Sequence, residues 1–109
     1  MENTLAYDRL VTKLTKENLW LYILKMLTER PMYAYEIGKN LKKKFGFSVA
    51  TVTVYVVLYK MQFEGLVAVE EESPTQGRTD RKYYKMTEKG KELYRKGQNF
   101  LEDTIKKLS

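Results

Sequence analysis

Two clusters of basic side chains carry the clearest chemistry in this sequence, because Lys and Arg neutralise phosphate groups and supply most sequence-independent affinity for nucleic acid. One cluster precedes, and the other follows, a segment rich in valine and threonine at residues 48–64. The clusters consist of Lys39, Lys42, Lys43 and Lys44 on one side and Arg78, Arg81 and Lys82 on the other. A lysine run alone usually marks a solvated helix face, but two clusters that bracket one segment favour a surface for phosphates.

The overall charge points to the same class of partner. The 109 residues include 20 Lys and Arg against 14 Asp and Glu, which gives a formal charge of +6. Such a balance favours polyanions, either nucleic acid or an acidic membrane face. A membrane-spanning helix needs about 20 apolar residues, whereas the longest aliphatic and aromatic run covers only residues 19–24. The acidic start at Glu2 also differs from the basic beginning of a signal peptide, so we expect a cytoplasmic protein with no membrane partner.

Most catalytic chemistry is excluded by composition. The sequence contains no His and no Cys, which removes the usual zinc and copper ligands. Histidine general bases and thiolate nucleophiles are removed as well. The only carboxylate cluster is Glu70, Glu71 and Glu72, and consecutive residues on a strand point to opposite faces. The sequence therefore predicts no enzyme, no metal and no cofactor.

Helical periodicity before Pro31 predicts helix at residues 2–14, as either a short extra helix or the start of a longer one, and a firmer helix after it. Residues 2–14 carry one apolar face at the spacing i, i+3, i+4, i+7. This face consists of Tyr7, Leu10, Val11 and Leu14. The second helix begins at Thr15, whose hydroxyl we expect to cap it, and ends near Pro31. Its residues 19–24 are apolar on every side, so they must be covered on every side, in part by a second subunit.

The next segments are a third helix and a stretch of mixed signals. The third helix runs from Tyr33 to Lys44 or Phe45, and Gly46 ends it. Residues 48–64 alternate valine and threonine, which by propensity favours a strand. The same stretch also has helical spacing in its apolar residues, with Ser48 as a cap and Gly65 at the end.

A hairpin and a long helix complete the chain. Residues 66–69 and 81–86 are typical of strands, and turn-forming residues at 73–78 separate them. Thr87 is expected to cap a last helix that continues to about Leu108. Its apolar residues follow a heptad-like spacing that is longer than one small domain can cover. Together with apolar residues of the second helix, they form the expected dimer interface: Leu19, Trp20, Ile23, Leu93, Tyr94, Gly97, Phe100, Leu101, Thr104, Ile105 and Leu108.

Three helices followed by a two-stranded wing is the winged variant of the helix-turn-helix, in which residues 50–64 would enter the major groove of DNA. Threonines there can meet phosphates or base edges, and Val52 and Val56 can touch thymine methyl groups. The expected DNA contacts are Tyr35, Lys39, Lys43, Thr51, Val52, Thr53, Tyr55, Val56, Gln76, Gly77, Arg78, Thr79 and Arg81.

Three motifs, in order, resemble those of PadR-type transcriptional regulators. Residues 32–37 (MYAYEI) are similar to the opening "hGYeI" of that family's second helix, and residues 53–58 with 64–67 (TVYVVL, EGLV) to its "tlYpaL…eGLv" stretch. Residues 81–90 (RKYYKMTEKG) resemble its "RkyYrlTeaG" wing strand and helix start. The resemblance implies that residues 50–64 are helical, which reverses the propensity-based prediction. It also implies a homodimer, joined largely through the C-terminal helix, that binds an inverted-repeat operator.

The sequence departs from this family pattern at the segment expected to contact DNA. Val52 and Val56 stand where the family usually has Gly and Pro, and Tyr33-Ala34 replaces the common His-Gly. Residues 1–14 lie outside the resemblance.

The sequence thus predicts a mainly α fold with a small β-hairpin, a winged helix-turn-helix with dimerisation helices at both ends. The expected divisions are an N-terminal helical extension (1–14), a DNA-binding domain (15–86) and a C-terminal dimerisation helix (87–109). The expected function is that of a sequence-specific DNA-binding regulator, a homodimeric repressor. A winged helix that binds proteins instead of specific DNA is the alternative, because fold alone does not fix function. Trp20, Tyr22 and Phe100 are either core and dimer contacts or the lining of a site for a small aromatic effector.

Overall fold

The computed structural model describes residues 4–70 and 81–109. In chain order the elements are α1 (Leu5–Leu14), a 3-10 turn (Lys16–Asn18), α2 (Leu19–Leu27), β1 (Met32–Tyr33), α3 (Ala34–Phe45), α4 (Thr51–Phe63), β2 (Val67–Glu70), β3 (Tyr83–Met86) and α5 (Glu88–Leu108). Helices dominate, and the strands form one small antiparallel sheet.

Capping interactions set some helix ends as predicted and others differently. The Thr87 hydroxyl accepts a hydrogen bond from the Gly90 N–H at 3.0 Å, as expected for the cap of α5. Gly46 ends α3 in the left-handed conformation, with φ of 79°. The prediction for Thr15 is wrong, because its hydroxyl donates to the Val11 carbonyl at 2.6 Å and so closes α1 instead of starting α2. The N-cap of α4 is Ala50 without a side-chain bond, so Ser48 does not cap this helix.

The sheet has three strands in the order β1-β3-β2, all antiparallel. The predicted hairpin is present as the pair β2–β3, in which Val67 lies opposite Met86. The extra strand, β1, places Tyr33 opposite Tyr83, so Tyr33 precedes α3 instead of belonging to it. A strand of two residues has no alternation to detect, which is why the sequence pattern missed it.

Residues 51–63 form a helix, as the motif resemblance implies and against local propensity. The physical reason is burial: Val54, Leu58 and Met61 recur at i, i+4, i+7 and are all buried in the core. Tertiary packing of one helical face outweighs the modest β-preference of valine and threonine.

Helix α2 is the centre of the core and packs against α3, α4, α5 and β3. Leu19, Ile23 and Leu24 are fully buried within the protomer. This corrects the expectation that Leu19 and Ile23 contact a second subunit. Their own protomer covers both side chains, so almost none of their surface is accessible to a partner. Burial of each such side chain contributes about 1.5–3 kcal/mol, so α2 holds α3 and α4 in fixed positions.

One close approach joins α5 to the sheet. The backbone of Gly90 lies so near β2 that a Cβ atom there would be 2.2 Å from the Leu66 carbonyl oxygen. The same carbonyl accepts a hydrogen bond from the Thr87 N–H at 3.1 Å. Only glycine fits this position, and the contact fixes the direction in which α5 leaves the domain.

Candidate nucleic-acid interface

The outward face of α4 is apolar and exposed. Val52, Val56 and Tyr59 follow helical spacing on the side opposite the buried face, with 67%, 47% and 72% of their surface accessible. Exposed apolar side chains scattered singly are common, but a continuous apolar row on one helix face is characteristic of a binding surface. Because α2 and α3 hold the buried face, this row points away from the domain.

Lysines of α3 lie beside the N-terminus of α4. Lys39, Lys42 and Lys43 line a surface depression of about 390 Å³, and Thr51 lies at its edge. The Lys39 ammonium also sits 5.4 Å from the centre of the Tyr35 ring, an attractive cation–π geometry. The partial positive charge of a helix N-terminus adds to that of the lysines, so this depression favours an anion such as phosphate.

Lys44 belongs to the same lysine run but serves a different contact. Its Nζ lies 2.7 Å from a carboxylate oxygen of Glu29. The hydrogen bond from Lys44 lowers the pKa of Glu29. The run is therefore divided, with three lysines beside α4 and one tied to the loop that follows α2.

A second depression of about 360 Å³ lies between the start of α3, α4 and β3. Its lining consists of Tyr33, Ala34, Tyr35, Tyr55, Arg81, Lys82 and Tyr84. The Arg81 guanidinium stacks 4.3 Å from the centre of the Tyr33 ring. Tyr33 also packs edge-to-face on Tyr83, with 5.4 Å between ring centres. These contacts fix the direction of the Arg81 side chain, and they exist because β1 pairs with β3.

Ionic and hydrogen bonds hold the β1–α3 junction that carries these aromatic residues. A Glu36 carboxylate oxygen accepts the Tyr33 N–H at 3.2 Å, and the other lies 2.8 Å from Arg30. The hydrogen bond to Glu36 raises the pKa of Arg30. Burial raises the pKa of the Tyr84 hydroxyl, and the neighbouring Tyr55 adds to the effect. Tyr84 therefore stays neutral at physiological pH.

Most of the described residues that the sequence nominated for DNA contact surround α4. Tyr35, Lys39, Lys43 and Thr51 line the first depression; Tyr35, Tyr55 and Arg81 line the second; Val52 and Val56 form the outward row. Thr53 is half-buried and lines neither depression. Gln76, Gly77, Arg78 and Thr79 lie outside the described residues, as do Glu71, Glu72 and the predicted turn at 73–78.

Tyr33 and Tyr59 are not among the contacts expected from the sequence, whereas Lys82 belongs to the basic cluster expected to meet phosphates. Tyr59 follows Val56 by three residues, so its place in the row is predictable once residues 51–63 are known to be helical. The stacking of Arg81 on Tyr33 has no sequence signal, since it depends on the pairing of β1 with β3.

The apolar seam of α5 divides into two halves. Leu93, Tyr94 and Gly97 pack against their own protomer, and a Cβ on Gly97 would lie 3.0 Å from the Trp20 ring. All three are half-buried, so their contact with a second subunit stays a prediction. The distal half differs, because Phe100, Ile105 and Leu108 are 68%, 66% and 83% exposed. Leu101 and Thr104 lie between them and are half-buried.

Helix α1 has no buried residue, and the face predicted from its sequence is exposed. Its last turn meets α5 at a groove of about 310 Å³. The lining is mostly apolar and consists of Leu14, Asn18, Trp20, Leu21, Tyr22, Gly97, Phe100 and Leu101. The Trp20 indole N–H donates to the Asn18 side chain at 3.2 Å. The aromatic residues that the sequence suggested for an effector site, Trp20, Tyr22 and Phe100, thus line one groove.

Within residues 4–70 and 81–109, no group of three His, Cys, Asp or Glu residues could hold a metal ion. None of the helices in these ranges is both long and apolar enough to span a bilayer.

Comparison with known proteins identifies the family. The model of the PadR-like family of transcriptional regulators matches residues 23–96. A PadR-like transcriptional regulator from Bacillus cereus is 30% identical over 85% of this chain and 92% of that chain, with a TM-score of 0.67. A PadR family regulator from Eggerthella lenta is 29% identical over 96% of both chains, with a TM-score of 0.71. A transcriptional regulator from Clostridium thermocellum shares the fold, with a TM-score of 0.77 at 24% identity over 89% of this chain and 92% of that chain.

The comparison with curated proteins gives no match. The family match covers the core, the sheet and the first part of α5, and the solved structures extend the likeness to most of the chain. The chain therefore belongs to the PadR-like family of transcriptional regulators, a winged-helix family whose members are regulators and not enzymes.

Proposed function

We propose that this regulator binds duplex DNA with the outward face of α4 in the major groove. The observation that carries the proposal is the exposed apolar row of Val52, Val56 and Tyr59, with cations on both of its sides. The major groove has the same layout, because its floor displays base edges and its two walls carry phosphates. A groove about 12 Å wide accepts one α-helix.

The two depressions supply the contacts to the walls of the groove. Lys39 and Lys43 face phosphates on one strand, and Arg81 and Lys82 face phosphates on the other. Tyr35 borders both depressions, and Tyr55 donates its hydroxyl to a phosphate. Arg78, one of the residues at 76–79 that the sequence nominates for DNA contact, has the side chain that a narrow minor groove favours.

The protein acts as a homodimer in this proposal. The distal half of α5 and the outer face of α1 leave two apolar surfaces of one protomer exposed. A helix as short as α1 is marginal in water without packing, and a second copy covers both surfaces at once. Residues 1–14 and 87–109 are then the dimerisation helices, and residues 15–86 the DNA-binding domain.

A two-fold dimer implies a two-fold operator. The α4 helices of the two protomers meet the half-sites of an inverted repeat, about 34 Å or a multiple of it apart. The dimer represses transcription by occupying a promoter. In this proposal it acts in the cytoplasm. The groove beside Trp20 adjoins the proposed interface. A small aromatic effector that enters it therefore acts on the dimer and changes the distance between the two α4 helices.

Selection of duplexes from random sequence by the purified protein tests the proposal. We expect enrichment of one inverted repeat and salt-sensitive binding of it. Val52→Glu abolishes binding because it places a carboxylate on the groove floor, whereas Asn99→Glu, which adds the same charge on the outer side of α5, retains it. Failure to enrich any sequence, or equal effects of the two variants, contradicts the proposal. In that case the same exposed row favours the alternative, a module that binds another protein.

A further inference from the structure

The first three turns of α4 contain none of the side chains that usually identify bases. From Ala50 to Tyr59 the sequence has no Arg, Lys, Asn, Gln, Asp or Glu. Bidentate hydrogen bonds from Arg to guanine and from Asn or Gln to adenine are the usual source of base discrimination in the major groove. Within the described residues, this helix therefore offers valine, threonine and tyrosine to the groove floor and little else.

The groove floor has one apolar feature that these side chains can recognise. Thymine alone among the four bases carries a methyl group there, at C5. Val52 and Val56 are exposed at the centre of the outward face, and neither has a polar atom that would need a hydrogen-bond partner. Valine is also stiff at χ1, so little conformational entropy is lost when it packs against a base.

We propose that Val52 and Val56 determine operator specificity by packing on thymine C5-methyl groups. This inference rests on the proposed function and names the chemistry by which the same surface selects its sequence. The two valines are four residues apart, so their side chains are separated by about 6 Å along the helix axis. With bases stacked about 3.4 Å apart, each half-site has two thymine contacts spaced by about two base pairs.

The inference is specific to this chain. Val52 and Val56 occupy the positions at which the resemblance to the family pattern fails. Substitution of the usual small or rigid residues by valine adds apolar surface on the groove side of α4 without adding charge.

Deoxyuridine tests the inference, because it lacks only the C5-methyl group and pairs as thymine does. The probe is a duplex of about 30 base pairs that the purified full-length protein has selected from random sequence. We expect replacement of one contacted thymine to weaken binding roughly fourfold, and replacement of the symmetric pair roughly 15-fold. Thymines outside the contacted positions should be replaceable without effect.

Alanine variants assign the effect to the two side chains. Both residues are exposed and alanine favours helix, so Val52→Ala and Val56→Ala fold. Each should lose the preference for thymine over deoxyuridine at one position and keep its affinity for the deoxyuridine duplex. Val57→Ala is the matched control on the inward side of α4, and it should keep the full preference.

The outcomes separate this inference from the proposed function. Tight binding of a selected duplex with equal affinity for its deoxyuridine form overturns the inference and leaves DNA binding intact. A preference that survives in both Val52→Ala and Val56→Ala overturns the assignment to these residues. If no duplex is selected, the proposed function fails and the inference fails with it.

Discussion

Replacement of Lys39 and Lys43 by glutamine should flatten the salt dependence of DNA binding while leaving the fold intact. Both residues are exposed, lie one turn apart on α3 and line the depression at the start of α4. Glutamine has nearly the helix propensity of lysine but no charge. The change therefore removes two of the proposed phosphate contacts per protomer and leaves the rest of the surface unchanged.

The size of the effect follows from the cations that surround α4. Those that line the two depressions are Lys39, Lys42, Lys43, Arg81 and Lys82. In a dimer they give a slope of log K against log salt of up to about −9, since each phosphate contact contributes about −0.9. The double variant removes four contacts per dimer, so the slope should become shallower by about 3.6. At 0.1 M salt this is a loss of roughly three to four orders of magnitude in affinity, and the curves converge near 1 M.

Fluorescence anisotropy on a selected duplex, titrated at several salt concentrations, measures the slope directly. Lys44→Gln is the matched control, because Lys44 ends the same run but is paired with Glu29. We expect the control to keep the wild-type slope. An unchanged slope in the double variant would refute the phosphate role of α3. An equal change of slope in Lys44→Gln would show that the effect comes from net charge and not from specific phosphate contacts.

Further predictions concern stability, assembly, pH and the effector. Gly90→Ala should lower the free energy of unfolding by about 1–3 kcal/mol in chemical denaturation, because the new Cβ meets the Leu66 carbonyl and the chain must shift. Ile105→Glu should convert the proposed dimer to a monomer at micromolar concentration in light scattering, because it places a charge on the exposed distal half of α5. The pKa of Tyr84 is raised in the folded protein, so its stabilising contribution is present below pH about 10 and is lost as pH rises through the pKa of the folded state. In Tyr84→Phe, the free energy of unfolding should therefore fall less steeply with pH in the alkaline range. Trp20 fluorescence should respond to planar aromatic compounds if its groove accepts an effector.

Matched variants make these results interpretable. Gly38→Ala should not destabilise, since a Cβ there would meet its nearest neighbour at 3.8 Å and alanine favours helix. Asn99→Glu adds the same charge on the outer side of α5 and should remain dimeric. Tyr7→Phe, at an exposed position of α1, should keep the wild-type alkaline slope. The stability prediction is contradicted if Gly90→Ala keeps the wild-type free energy of unfolding, and the assembly prediction if Ile105→Glu stays dimeric. The pH prediction fails if Tyr84→Phe leaves the alkaline slope unchanged. A flat fluorescence response across diverse compounds contradicts the effector prediction.

Helical spacing and capping signals predicted much of the fold, because each depends on nearby residues. Thr87 and Gly46 mark helix ends through contacts within one turn. The segment 51–63 shows the limit of this approach, since valine and threonine favour a strand locally and burial of Val54 and Leu58 makes it a helix. The motif resemblance decided between strand and helix, because local propensity contains no information on packing.

The candidate site was predictable where it depends on residue type and order in the chain, and not where it depends on packing. Basic residues near α4 were found because charge and order in the chain are visible in the sequence. Spacing alone identified an apolar face on α5 but not that Gly97 on this face lies against Trp20 of the same protomer. The stacking of Arg81 on Tyr33 joins positions far apart in the chain, and no local pattern predicts it.

Site-directed cleavage of DNA from α4 tests most directly whether this helix lies in the major groove. The chain has no Cys, so Tyr59→Cys provides a unique attachment point for a cleaving reagent on the outward row, and Asn99→Cys provides one on the outer side of α5. We expect two cuts from position 59, placed symmetrically within the half-sites of a selected inverted repeat, and none there from position 99. Cuts from position 99 without cuts from position 59 would contradict the placement of α4 in the groove.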